Sequence, residues 1–264
     1  MIDCPFVSTY LTNSLHTEWS LVKDSRIRIF NDANRFIKQG VFGYPLDAEL
    51  FSAKTQIGNE PTYVGGESLS NQKIYYHSDL DFGGADSLVN LYSTTDGTVL
   101  SRGKQVTNDP IISNVHALRP LSDQIIILDP MGFFHLYAHL NSFSTSLYPG
   151  AKVNKGDFIG TLGKVNAGNW SHLHYGLYAK QPSGLIGSVD AYPFIIQSYI
   201  DEYNPEIIAV ARPHKLVFSG EEIQLSAINT FNNSKQKLYY EWNIDDEVYF
   251  GENVNITINK PGSY

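Results

Sequence analysis

Cysteine is nearly absent: Cys4 is the one thiol among 264 residues. That excludes an intrachain disulfide and any zinc cluster built on paired cysteines, and it leaves the redox compartment unreadable from this residue type. Basic residues are scarce as well. Lysine and arginine number 19 against 27 aspartates and glutamates, a formal charge of −8. A chain of that sign with no basic run is a poor match to the phosphate backbone, so nucleic acid is not an expected partner. Long apolar runs are missing. The best, such as Ile125-Ile126-Ile127-Leu128, stop after a handful of residues, and a membrane-spanning helix needs ~20. No charged head with an apolar stretch behind it opens the sequence, so a secretion leader is not expected within it. Long disordered stretches are not expected. Charged residues are only 17% and aromatics reach 13%, led by 17 Tyr and 14 Phe, the reverse of a disordered composition.

What is present has a β texture. Short runs of Ile, Val, Tyr, Phe and Thr are punctuated by Gly, Pro, Asn and Asp, as strands and turns require. Two segments have helical character, residues 30–39 and 192–203, the second opened near Pro193 and stopped before Pro205. Residues 1–40 form an unplaced N-terminal extension. Residues 41–203 read as one β-rich unit. From Pro205 onward, strand-like runs at residues 207–211, 221–230, 238–245 and 254–258 are spaced as in a β-sandwich.

The chemistry-bearing residues are histidines, eight in all. His77 and Asp81 stand four apart in Tyr76-His77-Ser78-Asp79-Leu80-Asp81-Phe82-Gly83-Gly84. An extended segment would separate them by ~13 Å, so sharing one ion requires a curl. Gly83 and Gly84 permit close turns, and Asp79 tolerates unusual backbone angles. His172 and His174 are two apart in Ser171-His172-Leu173-His174-Tyr175-Gly176, which on a strand sends both to one face. His139 follows the alternating run Phe134-His135-Leu136-Tyr137-Ala138. Strict alternation places Phe134, Leu136, Ala138 and Leu140 on one face and His135, Tyr137 and His139 on the other. Asp129-Pro130-Met131-Gly132 is the expected hairpin turn before it. Two histidines and an acid make an open three-ligand zinc site, with a position left for water. The other histidines then supply proton transfer.

Taken together, H-x-x-x-D, Tyr-Ala-His-Leu and H-x-H resemble the lysostaphin/LytM-type zinc peptidases that cut peptidoglycan. Thr95-Asp96-Gly97-Thr98-Val99 resembles that family's A-D-G-x-V strand. The stretch from Gly150 to Gly160 resembles its G-x-x-V-x-x-G-x-x-I-G hairpin, and Gly163 matches a further family turn. The resemblance spans about residues 60 to 180 and departs in two places. Asp79 stands where H-x-G-x-D has glycine, and an insertion covers about residues 103–123. Carried over by position, the resemblance implies one Zn2+ held by His77, Asp81 and His174, with His139 and His172 as the catalytic histidines. It does not divide base and oxyanion roles between those two. The fold it implies is mainly β, an antiparallel-sheet LytM-like peptidase domain with an open groove. Tyr240-Glu241-Trp242-Asn243-Ile244-Asp245 and Pro261-Gly262-Ser263-Tyr264 resemble a PKD-like immunoglobulin-type module over residues 205–264, which is expected to be truncated.

The function so implied is zinc-dependent endopeptidase action on the peptide part of peptidoglycan, outside the cell or in the periplasm. The alternatives are a non-catalytic scaffold of the same fold and a peptidase directed at proteins. Cys4, His16, His116 and His214 are expected to be incidental. His135 is expected to line the groove or stand behind the site. Gly160-Thr161-Leu162-Gly163-Lys164 has Val165 where a phosphate loop needs Ser or Thr, and reads as a hairpin turn.

Overall fold

The structure, a computed structural model, describes residues 55–56, 60–64, 73–77, 79–83, 85–108, 118–167, 171–180, 186–189, 191–211, 217–244 and 246–260. The expected extension over 1–40, the helix over 30–39, Cys4, His16, His116, His214 and the terminal Pro-Gly-Ser-Tyr lie outside the described residues. So does the side chain of His77. Among the described residues, 55–56 and 76–203 belong to one compact unit, and 60–64, 73–75 and 204–260 to a second.

In chain order the strands up to the helix are β1 (Thr55–Gln56), β2 (Glu60–Val64), β3 (Lys73–His77), β4 (Leu80–Gly83), β5 (Asn90–Tyr92), β6 (Gly97–Arg102), β7 (Gln105–Val106), β8 (Ile125–Leu128), β9 (Phe134–Ala138), β10 (Leu140–Phe143), β11 (Lys152–Val153), β12 (Phe158–Leu162), β13 (His172–Lys180) and β14 (Ile186–Val189). The main sheet runs β1-β4-β13-β9-β8-β6-β11, with β14 beside β13 and β7 beside β6. Its pairings are antiparallel. A smaller sheet runs β10-β12-β5. The mainly β, antiparallel expectation holds.

The Asp129-Pro130-Met131-Gly132 turn joins β8 to β9 as expected. One Asp129 carboxylate oxygen accepts from the backbone N–H of Met131 and of Phe133, each at 2.8 Å. Gly132 takes φ 92° there. In the 150–160 hairpin, Gly150 and Gly156 sit at φ 93° and 87°, a region costly for any residue with a Cβ. All five residues of β9 are buried, so the central sheet is covered on both faces. On one face Leu136, Phe134, Ile126, Leu100, Leu118 and Tyr178 form an apolar cluster.

The expected second helix is present as α1 (Tyr192–Tyr203). It ends on Asn204 in the left-handed conformation, φ 43°, and Pro205 cannot continue it. The second unit then contributes β15 (Ile207–Ile208), β16 (Glu222–Ser226), β17 (Phe231–Asn232), β18 (Glu241–Ile244), β19 (Glu247–Phe250) and β20 (Asn253–Thr257). They pair as β15-β17, β16-β20 and β18-β19. The Trp242 indole donates to the Gly251 carbonyl at 2.8 Å and ties the β18-β19 hairpin.

Candidate active site

The antiparallel register of β4, β13 and β9 builds the site. His174 lies opposite Asp81 on one side and opposite Ala138 on the other. Period-two alternation then puts His172, His174 and Gly176 on the same face as Asp81. The His174 ring is held at both edges. Its Nδ1 is 2.8 Å from Asp81 Oδ1 and its Nε2 is 2.9 Å from Asp79 Oδ2. His172 Nε2 lies 3.5 Å from the other Asp81 oxygen. Both carboxylates and His172 are buried, and His174 is partly exposed.

His139 joins this group by a route that alternation misses. As a strand residue it would follow His135 and Tyr137 to the opposite face. Instead it takes φ 68° between β9 and β10. That left-handed residue breaks the alternation, and its ring centroid comes to 4.7 Å from His172 and 5.7 Å from His174. His139 Nδ1 contacts Asp123 Oδ2 at 3.1 Å and the Val165 carbonyl at 2.8 Å. Since the carbonyl only accepts, the network assigns the proton to Nδ1 and leaves the Nε2 lone pair available. Asp123 also accepts from the His139 backbone N–H at 3.2 Å and from the Asn166 amide at 3.0 Å.

The electrostatics follow from these contacts. Burial disfavours a charged His174, but its hydrogen bonds to Asp79 and Asp81, with their charges, outweigh that and push its pKa up to about 10. Burial raises the Asp123 carboxyl, yet hydrogen bonds from His139 and Asn166 prevail and hold it below the ordinary carboxylate range.

His135 is a correction. It neither lines a groove nor backs the site. It is wholly buried on the opposite face, bonded through Nδ1 to Thr94 Oγ1 and Tyr175 OH at 2.9 Å each, and through Nε2 to Asp129 Oδ2 at 3.2 Å. Tyr137 belongs to the same network, its hydroxyl 2.7 Å from Thr94 Oγ1. Burial pulls the His135 pKa down despite Asp129. Asp79 takes part in the site through its carboxylate.

Asp81, His139, His172 and His174 are therefore brought together, while His77 closes β3 with its side chain outside the described residues. Among the described residues no three His, Cys, Asp or Glu side chains form a ready-made metal cage. The donors that are described fit an N/O metal site in their chemistry, a carboxylate and an imidazole edge to edge on one sheet face. Spacing did not reveal Asp79, Asp123, Asn166 or Tyr178 as parts of this site. An acid at an x position of the H-x-x-x-D motif was the one available signal.

Residues 75–184 match the model of peptidase family M23. Over those residues the chain is similar to peptidase family M23. The matched stretch contains every residue of the constellation just described. No curated protein matches the chain. Among solved structures, the catalytic domain of the antimicrobial peptidase lysostaphin from Staphylococcus simulans is similar at 19% identity, covering 54% of this chain and 92% of that one, with a TM-score of 0.39. A putative glycyl-glycine endopeptidase LytM from Ruminococcus gnavus shows 23% identity, covering 60% of each chain, with a TM-score of 0.38. Csd3 from Helicobacter pylori shows 16% identity, covering 62% of this chain and 38% of that one, with a TM-score of 0.36.

Proposed function

We propose that residues 41–203 are a zinc-dependent endopeptidase unit that hydrolyses peptide bonds in bacterial cell-wall peptidoglycan, outside the cell or in the periplasm. The observation that carries this reading is the meeting of three imidazoles, His139, His172 and His174, over the Asp81 carboxylate on one face of a rigid sheet. The match of residues 75–184 to a peptidase family model supports it. His77, Asp81 and His174 would hold one zinc ion, which when bound polarises a scissile carbonyl and makes hydroxide available from water near neutral pH.

The two remaining histidines divide the proton work by their surroundings. His139, with Nδ1–H engaged by Asp123 and Val165, offers Nε2 as the general base and later returns a proton to the leaving amine. His172, buried against Asp81, would donate to the developing oxyanion. An extended cell-wall peptide suits an antiparallel scaffold that holds these groups rigidly. Residues 205–264 are read as a PKD-like spacer or interaction module, supported by the Tyr-Glu-Trp-Asn-Ile-Asp hairpin.

The test is to incubate zinc-loaded protein with several purified peptidoglycans and to identify newly exposed amine termini by mass spectrometry. Release by the wild type, lost in His139→Ala and His174→Ala, is the expected result. No release from any substrate, with the variants behaving identically, overturns the cell-wall reading. Zinc without turnover points to a binding scaffold, and cleavage of protein substrates alone points to a protein-directed peptidase.

A further inference from the structure

Asp79 departs from the glycine of the pattern that this chain otherwise resembles, and the departure is built into the fold. Asp79 is buried, 3% exposed. Oδ2 accepts from the Tyr178 hydroxyl at 2.5 Å and meets His174 Nε2 at 2.9 Å, while Oδ1 is buried with no hydrogen-bond partner. A carboxylate so placed is costly to bury, and that cost needs a compensating interaction. Space for it is made across the strand. A Cβ on Gly176 would lie 2.8 Å from the Asp79 carboxyl carbon and 2.6 Å from the Tyr178 ring, closer than any side chain tolerates.

The ring geometry decides what Asp79 can do. Asp81 meets His174 at Nδ1, and Asp79 meets it at the opposite edge, Nε2. One imidazole cannot present both edges to one ion. The edge shared with Asp81 and His172 is the Nδ1 edge, so Asp79 sits behind the ring rather than beside Asp81 as another ligand. A carboxylate on Nε2–H fixes the tautomer, locks the ring orientation and makes Nδ1 a stronger donor.

We propose that Asp79, steadied by Tyr178 and accommodated by Gly176, is a positioning residue that holds His174 with Nδ1 turned to the metal site. This rests on the zinc reading above, and the experiment separates the two. Zinc dissociation constants are measured at fixed pH by competition with a chromophoric chelator for the full chain and for Asp79→Asn, Asp79→Gly and Tyr178→Phe. Each protein is also loaded with Co2+ and its visible absorption recorded, and far-UV circular dichroism checks folding of the metal-free forms. Carboxylates behind metal-binding histidines are worth about 10–100-fold in affinity. Weakening on that scale for Asp79→Gly is expected, with Asp79→Asn intermediate, Tyr178→Phe smaller in the same direction, and an altered Co2+ spectrum. Folded Asp79 variants that bind zinc as tightly as the wild type overturn this proposal alone. Weakened binding that accompanies a lost far-UV signal, with Tyr178→Phe unchanged, also overturns it. A wild-type chain that binds no zinc overturns it together with the zinc reading.

Discussion

His139 shows how one backbone angle redirects a side chain. A residue with a Cβ at φ 68° gives up on the order of 1 kcal/mol, and here the return is a ring delivered to the site face. Its orientation is then set by Asp123, which is 1% exposed and holds both the Nδ1 and the backbone N–H of His139. If His139 is the base proposed above, Asp123→Asn removes the charge behind the imidazolium that it would form. The expected loss is about 10–100-fold in kcat with KM nearly unchanged, because the effect falls on proton transfer rather than on substrate binding. Asn166→Ala, which leaves the carboxylate in place, should cost far less. Steady-state kinetics on a defined peptide substrate check this; a change confined to KM would assign Asp123 to the substrate cleft instead.

At the level of elements, β13 separates two buried polar systems with opposite responses to pH. On one face His135 is held neutral by burial. The unfolded chain takes up a proton at this residue near pH 6.5 that the folded state refuses. Stability therefore falls as pH drops through 6.5, by up to about 1.4 kcal/mol per pH unit for one proton. On the other face, in metal-free protein, His174 keeps its proton up to about pH 10. The unfolded chain loses that proton near 6.5, so this contribution is complete below 6.5 and is lost as pH rises toward 10. Chelated protein should thus be most stable near pH 6.5. His135→Gln should flatten the acid limb and His174→Gln the alkaline limb in urea unfolding followed from pH 5 to 10; unchanged limbs would show that other groups set the profile. The two faces also mark how far the sequence could be read. H-x-H, H-x-x-x-D and the Pro-Gly turn are local patterns, and period two carries them directly into strands. The Asp79–His174 and Asp123–His139 pairs span 95 and 16 residues. They exist only once register is set, and no periodicity encodes register between distant strands. The same rule misplaced His139 with His135, because alternation stops at a left-handed residue.

At the scale of the whole chain, the two units differ in how much they bury. The first carries a continuous core, with Phe82, Ile125, Ile126, Ile127, Tyr137, Ile159 and Tyr175 fully enclosed. In the second, the buried apolar residues among those described are few, such as Ile208, Val254 and Ile256, while Phe218, Tyr239 and Phe250 are 80%, 88% and 73% exposed. Stability on folding scales with apolar area removed from water, so the second unit should melt first. The proposed ligands His77, Asp81 and His174 all belong to the first unit. A ligand that binds the folded state alone adds about 2.7 kcal/mol at a free concentration 100 times its Kd. For a unit of this size that amounts to about 5–10 °C in Tm. Calorimetry with zinc and with a chelator should therefore show the upper transition rising by that amount and returning on chelation, while the lower one stays in place. A shift confined to the lower transition would put the zinc in the second unit, and the absence of any shift would remove the metal from the site.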